Sequence, residues 1–338
     1  MEKFIKHKAP LMCLAALLCL AMLAGCAPGP AGTPSQTPSA ENSAAPTQSN
    51  SAAPSGGTIT ISDVKGEVEI PANPQRVVDL SGSSDILHIL GYSVVGTANS
   101  DAYDYTKFPT FLEDVLAGAT ILGYSYQDTM DVENILALEP DLIIISTIQE
   151  KMYSQLSQVA PTVMIELAQI NWQDDLMAMA KIFDKVDAAQ AWLDDYLAKA
   201  AKLGEQIRAE YGEDSSYLSF LASGGQLFIF DAAGMGSMFY SDMGLAKPEG
   251  MPQQENVSLP VVTYEGLSAI DADYIFVLAT DADMAALKES AIWNSLPAVQ
   301  NGNIIELPAS PYFNQVYSPI GRLLFLDEVA GLIGQTAK

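Results

Sequence analysis

Apolar and polar residues alternate along Thr58–Ile70 around a Lys65-Gly66 pair, which predicts a hairpin. From Arg76 the pattern changes to short continuous apolar runs separated by stretches of helical period. Arg76–Leu80 is such a run, and "SGSSDILHILGY" then supplies serines, an amphipathic turn or two and a glycine stop. "SVVGTA" is the next strand. "VENILALEPDLIIIS" gives an apolar helix face at Val132, Ile135, Leu136 and Leu138, a turn, and a buried strand at Leu142–Ile145. Between residues 187 and 211, Trp192, Tyr196, Ala200, Leu203, Ile207 and Tyr211 recur at steps of three and four. That stripe predicts one helix of roughly 37 Å, long enough to brace two lobes along one side. The strand and helix runs then restart at "YLSFLAS", "QLFIFDA" and "GMGSMFYSDMGL", and the chain ends on an amphipathic helix capped by Ser318 with Pro319 in its first turn.

The restart is a repeat. "VENILALEPDLIII" at 132–145 returns 132 positions later as "YEGLSAIDADYIFV" at 264–277. Glu133 falls on Glu265, Ala137 on Ala269, Asp141 on Asp273 and Ile143 on Ile275. Helices alternating with short apolar runs argue for parallel α/β sheets. The expected fold is therefore two similar α/β lobes with central, mostly parallel sheets, joined by one long α-helix, with a ligand cleft between them. The boundaries are 58–171 for the first lobe, 172–211 for the interlobe helical segment and 212–338 for the second lobe.

The first 57 residues stand apart. Lys3, Lys6 and Lys8 precede a short apolar run that ends in "LAGC", Leu23–Cys26. A basic start, an apolar core and small residues before a cut describe a secretory signal over residues 1–25. The Cys after Leu-Ala-Gly resembles the lipobox of bacterial lipoproteins, in which that Cys is acylated. Residues 26–57 are rich in Pro, Ser and Ala with one charge, Glu41, and suit a disordered tether about 30 Å in reach. The three cysteines are Cys13, Cys19 and Cys26, so after cleavage only the lipidation candidate is left. Disulfides, thiolate metal sites and a cysteine nucleophile are excluded from the domain.

The formal charge is −25, and removal of Glu2 and the three leader lysines takes it to −27. Such a surface repels nucleic acid and anionic lipid headgroups. Catalytic parts are missing as well. His88 is the one histidine beyond the leader, placed on a helix as a partly packed side chain, and no hydrolase elbow, zinc-protease or Walker motif occurs. The reading is a binding protein, with no catalytic residue, no cofactor and no directly bound metal. Open α/β sheets bind ligands beyond the C-terminal ends of their strands. That rule places Ser81–Ser84, Tyr103, Tyr105, Tyr124, Tyr126, residues 147–149, residues 232–238 and residues 312–317 at the cleft.

Lipobox, tether, "EVEIPANPQRVVDL", "LHILGYSVVGTA", "ENILALEPDLIIIS", the long helix and "YEGLSAIDADYIFV" together resemble the ABC-transporter substrate-binding lipoproteins for iron-siderophores, haem and cobalamin. The resemblance covers essentially residues 58–338. It implies a stiff two-lobed clamp, lipid-anchored at Cys26 (with palmitate as an acyl candidate) on the extracytoplasmic face of the cell membrane. It would act as a monomer and deliver its ligand to an ABC permease dimer. In that family an acidic residue at the head of each repeat docks on permease arginines, which assigns Glu133 and Glu265 to docking. The family's anionic siderophores meet several cleft cations, whereas candidates here are few: Lys107, Lys151 and Arg322, with Gly224-Gly225, Met235 and Met238 where basic residues could stand. The expected ligand is a ferric siderophore of low net charge such as a hydroxamate. Ser81, Ser83, Tyr103, Tyr105, Tyr124, Tyr126, Met235, Met238, Tyr312 and Phe313 are the expected walls, with Arg322 and Lys107 toward the chelate oxygens. Haem, then cobalamin, are the alternatives within the family; a surface enzyme or adhesin of similar fold is the alternative outside it.

Overall fold

The structure, a computed structural model, describes residues 57–166 and 170–336. The expected leader, Cys26 and the tether up to residue 56 lie outside the described residues. The alternating start forms the hairpin of β1 (Thr58–Asp63) and β2 (Gly66–Pro71). Asp63 sets its turn by accepting the Lys65 N–H at 2.7 Å and the Gly66 N–H at 3.0 Å. The same carboxylate accepts the Met164 N–H at 2.7 Å, which ties the hairpin to the first lobe.

That lobe holds β3 (Val77–Asp79), β4 (Val94–Thr97), β5 (Thr120–Ile121), β6 (Leu142–Ser146) and β7 (Thr162–Ile165). Their order is β5-β4-β3-β6-β7 and every pair is parallel. Strands β3, β6 and β7 are buried throughout, as the continuous apolar runs require of a sheet covered on both faces. The second lobe holds β8 (Tyr217–Ser223), β9 (Gln226–Ile229), β10 (Val261–Val262), β11 (Tyr274–Ala279) and β12 (Ile304–Pro308), in the order β10-β9-β8-β11-β12.

The lobes differ in the direction of one strand. Strands β8, β11 and β12 run parallel, like β3, β6 and β7, but β9 pairs antiparallel with both β8 and β10 and is the one reversed strand of that sheet. The connections explain it. The chain goes from β3 to β4 through the helix Ser84–Ile89, whereas β8 returns as β9 through Gly224-Gly225. Those glycines have φ of +59° and +78°, the two left-handed positions that a tight hairpin turn needs. The pair is there for the turn and does not replace basic cleft residues.

The repeat appears as the helices Val132–Ala137 and Tyr264–Leu267, each leading into a central strand, β6 or β11. Its second acid has a structural duty that the sequence reading missed. Asp141 accepts the N–H groups of Gln75 and Arg76 at 2.7 and 2.8 Å, just before β3. Asp273 accepts the N–H and hydroxyl of Ser216 at 2.8 and 2.9 Å, just before β8. In both lobes the acid after the repeated helix thus fixes where the neighbouring strand begins.

Two helices make the crossing, Trp172–Ile182 and the 26-residue Val186–Tyr211. The long helix buries Ala189, Leu193, Tyr196, Ala200, Gly204 and Ile207, with Trp192, Leu203 and Tyr211 half-buried beside that stripe. At Gly204 an added Cβ would lie 1.8 Å from the Met243 carbonyl oxygen, so no larger residue fits that approach. One core runs under this helix through both lobes, from Leu87 and Val163 to Tyr217, Phe276 and Phe325. Each sheet has a further core on its other face. The last helix, Pro319–Thr336, packs on the long helix, on β12, and on the first lobe's Ser84–Ile89 helix and Thr110–Leu112 turn. It belongs by sequence to the second lobe and by packing to both.

Candidate ligand-binding cleft

A cavity of about 820 Å³ opens between the lobes. Its walls follow the strand ends, as in open α/β sheets generally. Ser81–Ser83 come after β3, Asn99 and Ser100 after β4, Tyr124–Tyr126 after β5, and Ile148 after β6. The facing lobe gives Leu221 and Ser223 at the end of β8, the Val257–Leu259 loop, Phe313 and Tyr317. Trp172 and Asp175 of the crossing, with Ser318, Pro319 and Arg322 of the last helix, complete the enclosure.

The first-lobe floor is built on a buried acid. Asp79, fully buried at the end of β3, accepts the Ser81 N–H at 3.0 Å, the Ser81 hydroxyl at 2.5 Å and the Ser84 hydroxyl at 2.6 Å. Burial pushes its pKa up despite these donors. Next to it, Asp85 accepts the Ile86 N–H at 2.9 Å and, from the other lobe, the Ser318 hydroxyl. Burial carries the Asp85 carboxyl up to about 6, with a smaller upward push from the Asp79 charge. Ser318 also accepts the Gly321 N–H at 3.1 Å, so one hydroxyl caps the last helix and links the lobes. Three more cross-lobe bonds lie nearby: Ala102 N–H to Asn314 Oδ1 at 3.0 Å, Asn314 Nδ2–H to the Ser100 carbonyl at 3.5 Å, and the Ser310 hydroxyl to Asp101 at 2.7 Å.

Arg322 lies in the wall, but its charge is engaged. Nη1 meets Asp242 at 3.1 Å, and Nη2 donates to Ser237 Oγ at 2.7 Å and to the Gly234 carbonyl at 3.1 Å. Its guanidinium packs over the Trp172 ring at 5.1 Å. Nε–H is buried without an acceptor among the described residues. The aromatic wall is layered. Tyr105 stacks on Tyr124 at 4.8 Å, and Tyr124 on Tyr126 at 5.4 Å. Burial raises the Tyr124 and Tyr317 phenols far above their ordinary range, so both are neutral hydroxyls.

The structure brings Ser81, Ser83, Tyr124, Tyr126, Phe313 and Arg322 together at the cavity, and leaves other expected residues out. Met235 and Met238 are fully buried in the shared core. The reason is the reversed β9. Ser223 pairs with Gln226 and Phe220 with Ile229, so the end of β9 points away from the cleft and carries Gly234–Met238 behind its floor. Lys107 also falls outside: its side chain is 73% exposed and bridges to Asp104. Lys151 likewise bridges to Asp128, and His88 is exposed rather than partly packed. Tyr312 donates to Glu328 at 2.9 Å and packs on Phe325, off the wall. Tyr103 and Tyr105 are exposed and do not line the cavity, Tyr103 lying edge-on to Phe313. Glu133 and Glu265 sit exposed in the first turns of their helices, away from the cavity. The capping is done by Asp131 and Thr263, and neither glutamate carboxylate has a partner among the described residues.

The sequence signature described as periplasmic binding protein matches residues 81–311, more than half of the chain. The chain belongs to the periplasmic binding protein family. Among curated relatives of this binding protein, the iron(3+)-hydroxamate-binding protein FhuD of Bacillus subtilis is 29% identical over 280 residues, covering 80% of this chain and 86% of FhuD. The probable siderophore-binding lipoprotein YfiY of the same organism is 30% identical over 269 residues, 75% and 81% of the two chains. Unliganded FhuD2 from Staphylococcus aureus has the same fold, with a TM-score of 0.69 at 23% identity over 83% of this chain and all of that one. A periplasmic binding protein component of a Fep/Fec-like ferrichrome ABC transporter from Bacillus subtilis superposes with a TM-score of 0.66 at 26% identity, covering 81% and 99%.

Several wall residues of this periplasmic binding protein escaped the sequence reading. Asp85 shares the helix of the expected serines but looked like ordinary first-turn acid. Trp172 and Asp175 open the crossing helix behind the Asn171 cap, a place where one residue can face both lobes. The Val257–Leu259 loop has no local pattern that marks it.

Proposed function

We propose that this chain is the extracytoplasmic receptor of an ABC importer, lipid-anchored at Cys26, and that its cargo is a ferric siderophore of the hydroxamate class. The observation that carries the reading is the wall of the interlobe cavity: aromatic and hydroxyl-rich, of the size small-molecule sites have, with its one described cation already neutralised by Asp242. A ferric trihydroxamate is uncharged at its core, and its apolar rim suits tyrosine faces. Highly anionic chelates would enter this cavity without a counter-charge. The relative named for iron(3+)-hydroxamate binding supports the class, and the relative named a siderophore-binding lipoprotein supports the anchor. Binding, with iron arriving and leaving inside its chelator, accounts for the site without catalysis.

Trp172 in the wall is a built-in reporter. Titrating the protein with a ferric trihydroxamate should quench tryptophan fluorescence with sub-micromolar affinity. A ferric tricatecholate, haemin and cobalamin should bind at least about a hundredfold more weakly. A shifted Soret band with haemin, and no response to hydroxamates, would overturn the assignment.

A further inference from the structure

One stretch of the second lobe both joins the lobes and walls the cavity. At steps of four, Ser310, Asn314 and Ser318 each bond to the first lobe. The Ser310 hydroxyl donates to Asp101 at 2.7 Å, and the Ser318 hydroxyl donates to Asp85. Asn314 accepts the Ala102 N–H at 3.0 Å and donates to the Ser100 carbonyl at 3.5 Å. Phe313 and Tyr317, also four apart, lie between these residues and line the cavity. The Tyr317 ring is wedged in place. Its centroid is 5.4 Å from that of Phe313 and 6.3 Å from that of Phe230, and a Cβ added to Gly234 would come within 3.3 Å of its Cζ. Yet its hydroxyl has no hydrogen-bond partner among the described residues, and it is not sealed in the core as the Tyr217 hydroxyl is. Tyr124 and Tyr126 of the first lobe line the same cavity and lie close enough to act on the Tyr317 phenol. A donor without a partner, fixed on a held ring in a cavity wall, is a preorganised site for an acceptor.

Resting on the hydroxamate reading above, we propose that the Tyr317 hydroxyl donates to a hydroxamate oxygen of the chelate, and that Asn314 is the positioning residue that holds this phenol opposite Tyr124 and Tyr126. Oxygens that coordinate ferric iron keep lone pairs, so a neutral phenol can donate to them without bringing a charge into the cavity. Asn314 comes three residues before Tyr317, and its amide grips the backbone of the opposite lobe, accepting from one peptide group and donating to another. That two-point grip sets the spacing of the lobes where the phenol meets the cavity, and small errors of placement there weaken a hydrogen bond steeply.

The whole chain is titrated with a linear ferric trihydroxamate by tryptophan quenching, and melting temperatures are read beside the affinities. Tyr317→Phe removes one oxygen and no packing, so affinity should fall about tenfold while the melting temperature holds. Asn314→Ala alone should weaken binding about fivefold, but by less than about twofold when combined with Tyr317→Phe. Ser310→Ala removes only the neighbouring bond to Asp101 and should show the same dependence on the Tyr317 hydroxyl on a smaller scale. It carries the test if Asn314→Ala does not fold. Wild-type affinity in Tyr317→Phe overturns the contact and leaves the hydroxamate reading standing. Losses that simply add in the double variant overturn the positioning role, because a residue that touches the ligand itself, or only steadies the lobes, acts whether or not the hydroxyl is there. A wild-type chain that binds no trihydroxamate overturns both.

Discussion

Asp85 is a place where local chemistry departs from what its residue type suggests. In the sequence it is one first-turn acid among many. In the structure it is buried, faces the cavity and accepts a hydroxyl from the other lobe. Its carboxyl is raised to about 6, so the folded state holds its proton more tightly than the unfolded chain does. The sign follows directly. Between about pH 4 and pH 6 the native state binds more protons, so stability contributed by this group falls as pH rises through that window and is level above it. Asp85→Asn does not titrate. The unfolding free energy of wild type minus that of Asp85→Asn should therefore drop by about 2 kcal/mol from pH 4 to pH 7. Parallel denaturation curves across that range would show that the group is not held in this environment. At this scale the sequence was half legible. Ser81, Tyr124 and Arg322 are cleft residues because they follow or open elements that could be read, whereas Asp85 and Trp172 owe their roles to what a distant helix places against them.

Elements were the most legible level, and their failure has one cause. The alternating start, the parallel runs and the long stripe each matched a period, and each formed the expected unit. Strand direction has no such period. Gly224-Gly225 was the available sign that β9 turns back, and it alone moved Met235 and Met238 from cleft to core. The repeated helix heads carry the opposite lesson. Asp131 and Thr263 hold the caps, so Glu133 and Glu265 are dispensable for their own helices, worth at most the ~0.3–1 kcal/mol of a first-turn charge. A two-fold permease presents one basic socket twice, and two exposed, unpartnered carboxylates at matching positions suit it. Glu133→Ala and Glu265→Ala should leave ligand affinity within about twofold and melting temperature within about 2 °C. Ligand-stimulated ATPase activity of the reconstituted importer should fall with either change and nearly vanish with both. Weaker ligand binding in the single variants would move these residues into the cleft.

For the whole molecule, the anchor is tested by separation. With Cys26→Ser the protein should leave the membrane pellet for the soluble fraction, with its ligand affinity intact; continued sedimentation with membranes would remove the lipid from the account. The two lobes are less independent than a repeat suggests. One core passes through both, and four side-chain or backbone hydrogen bonds cross between them near the cavity. The last helix lies against the first lobe's Ser84–Ile89 helix, and Ser318 at its head holds Asp85. A chain that emerges N-terminus first, from ribosome or translocon, therefore presents its first lobe with an open flank. That flank closes only when the final eighteen-residue helix arrives. Lobe-by-lobe folding in step with delivery would leave this flank of the early lobe uncovered until that helix is made.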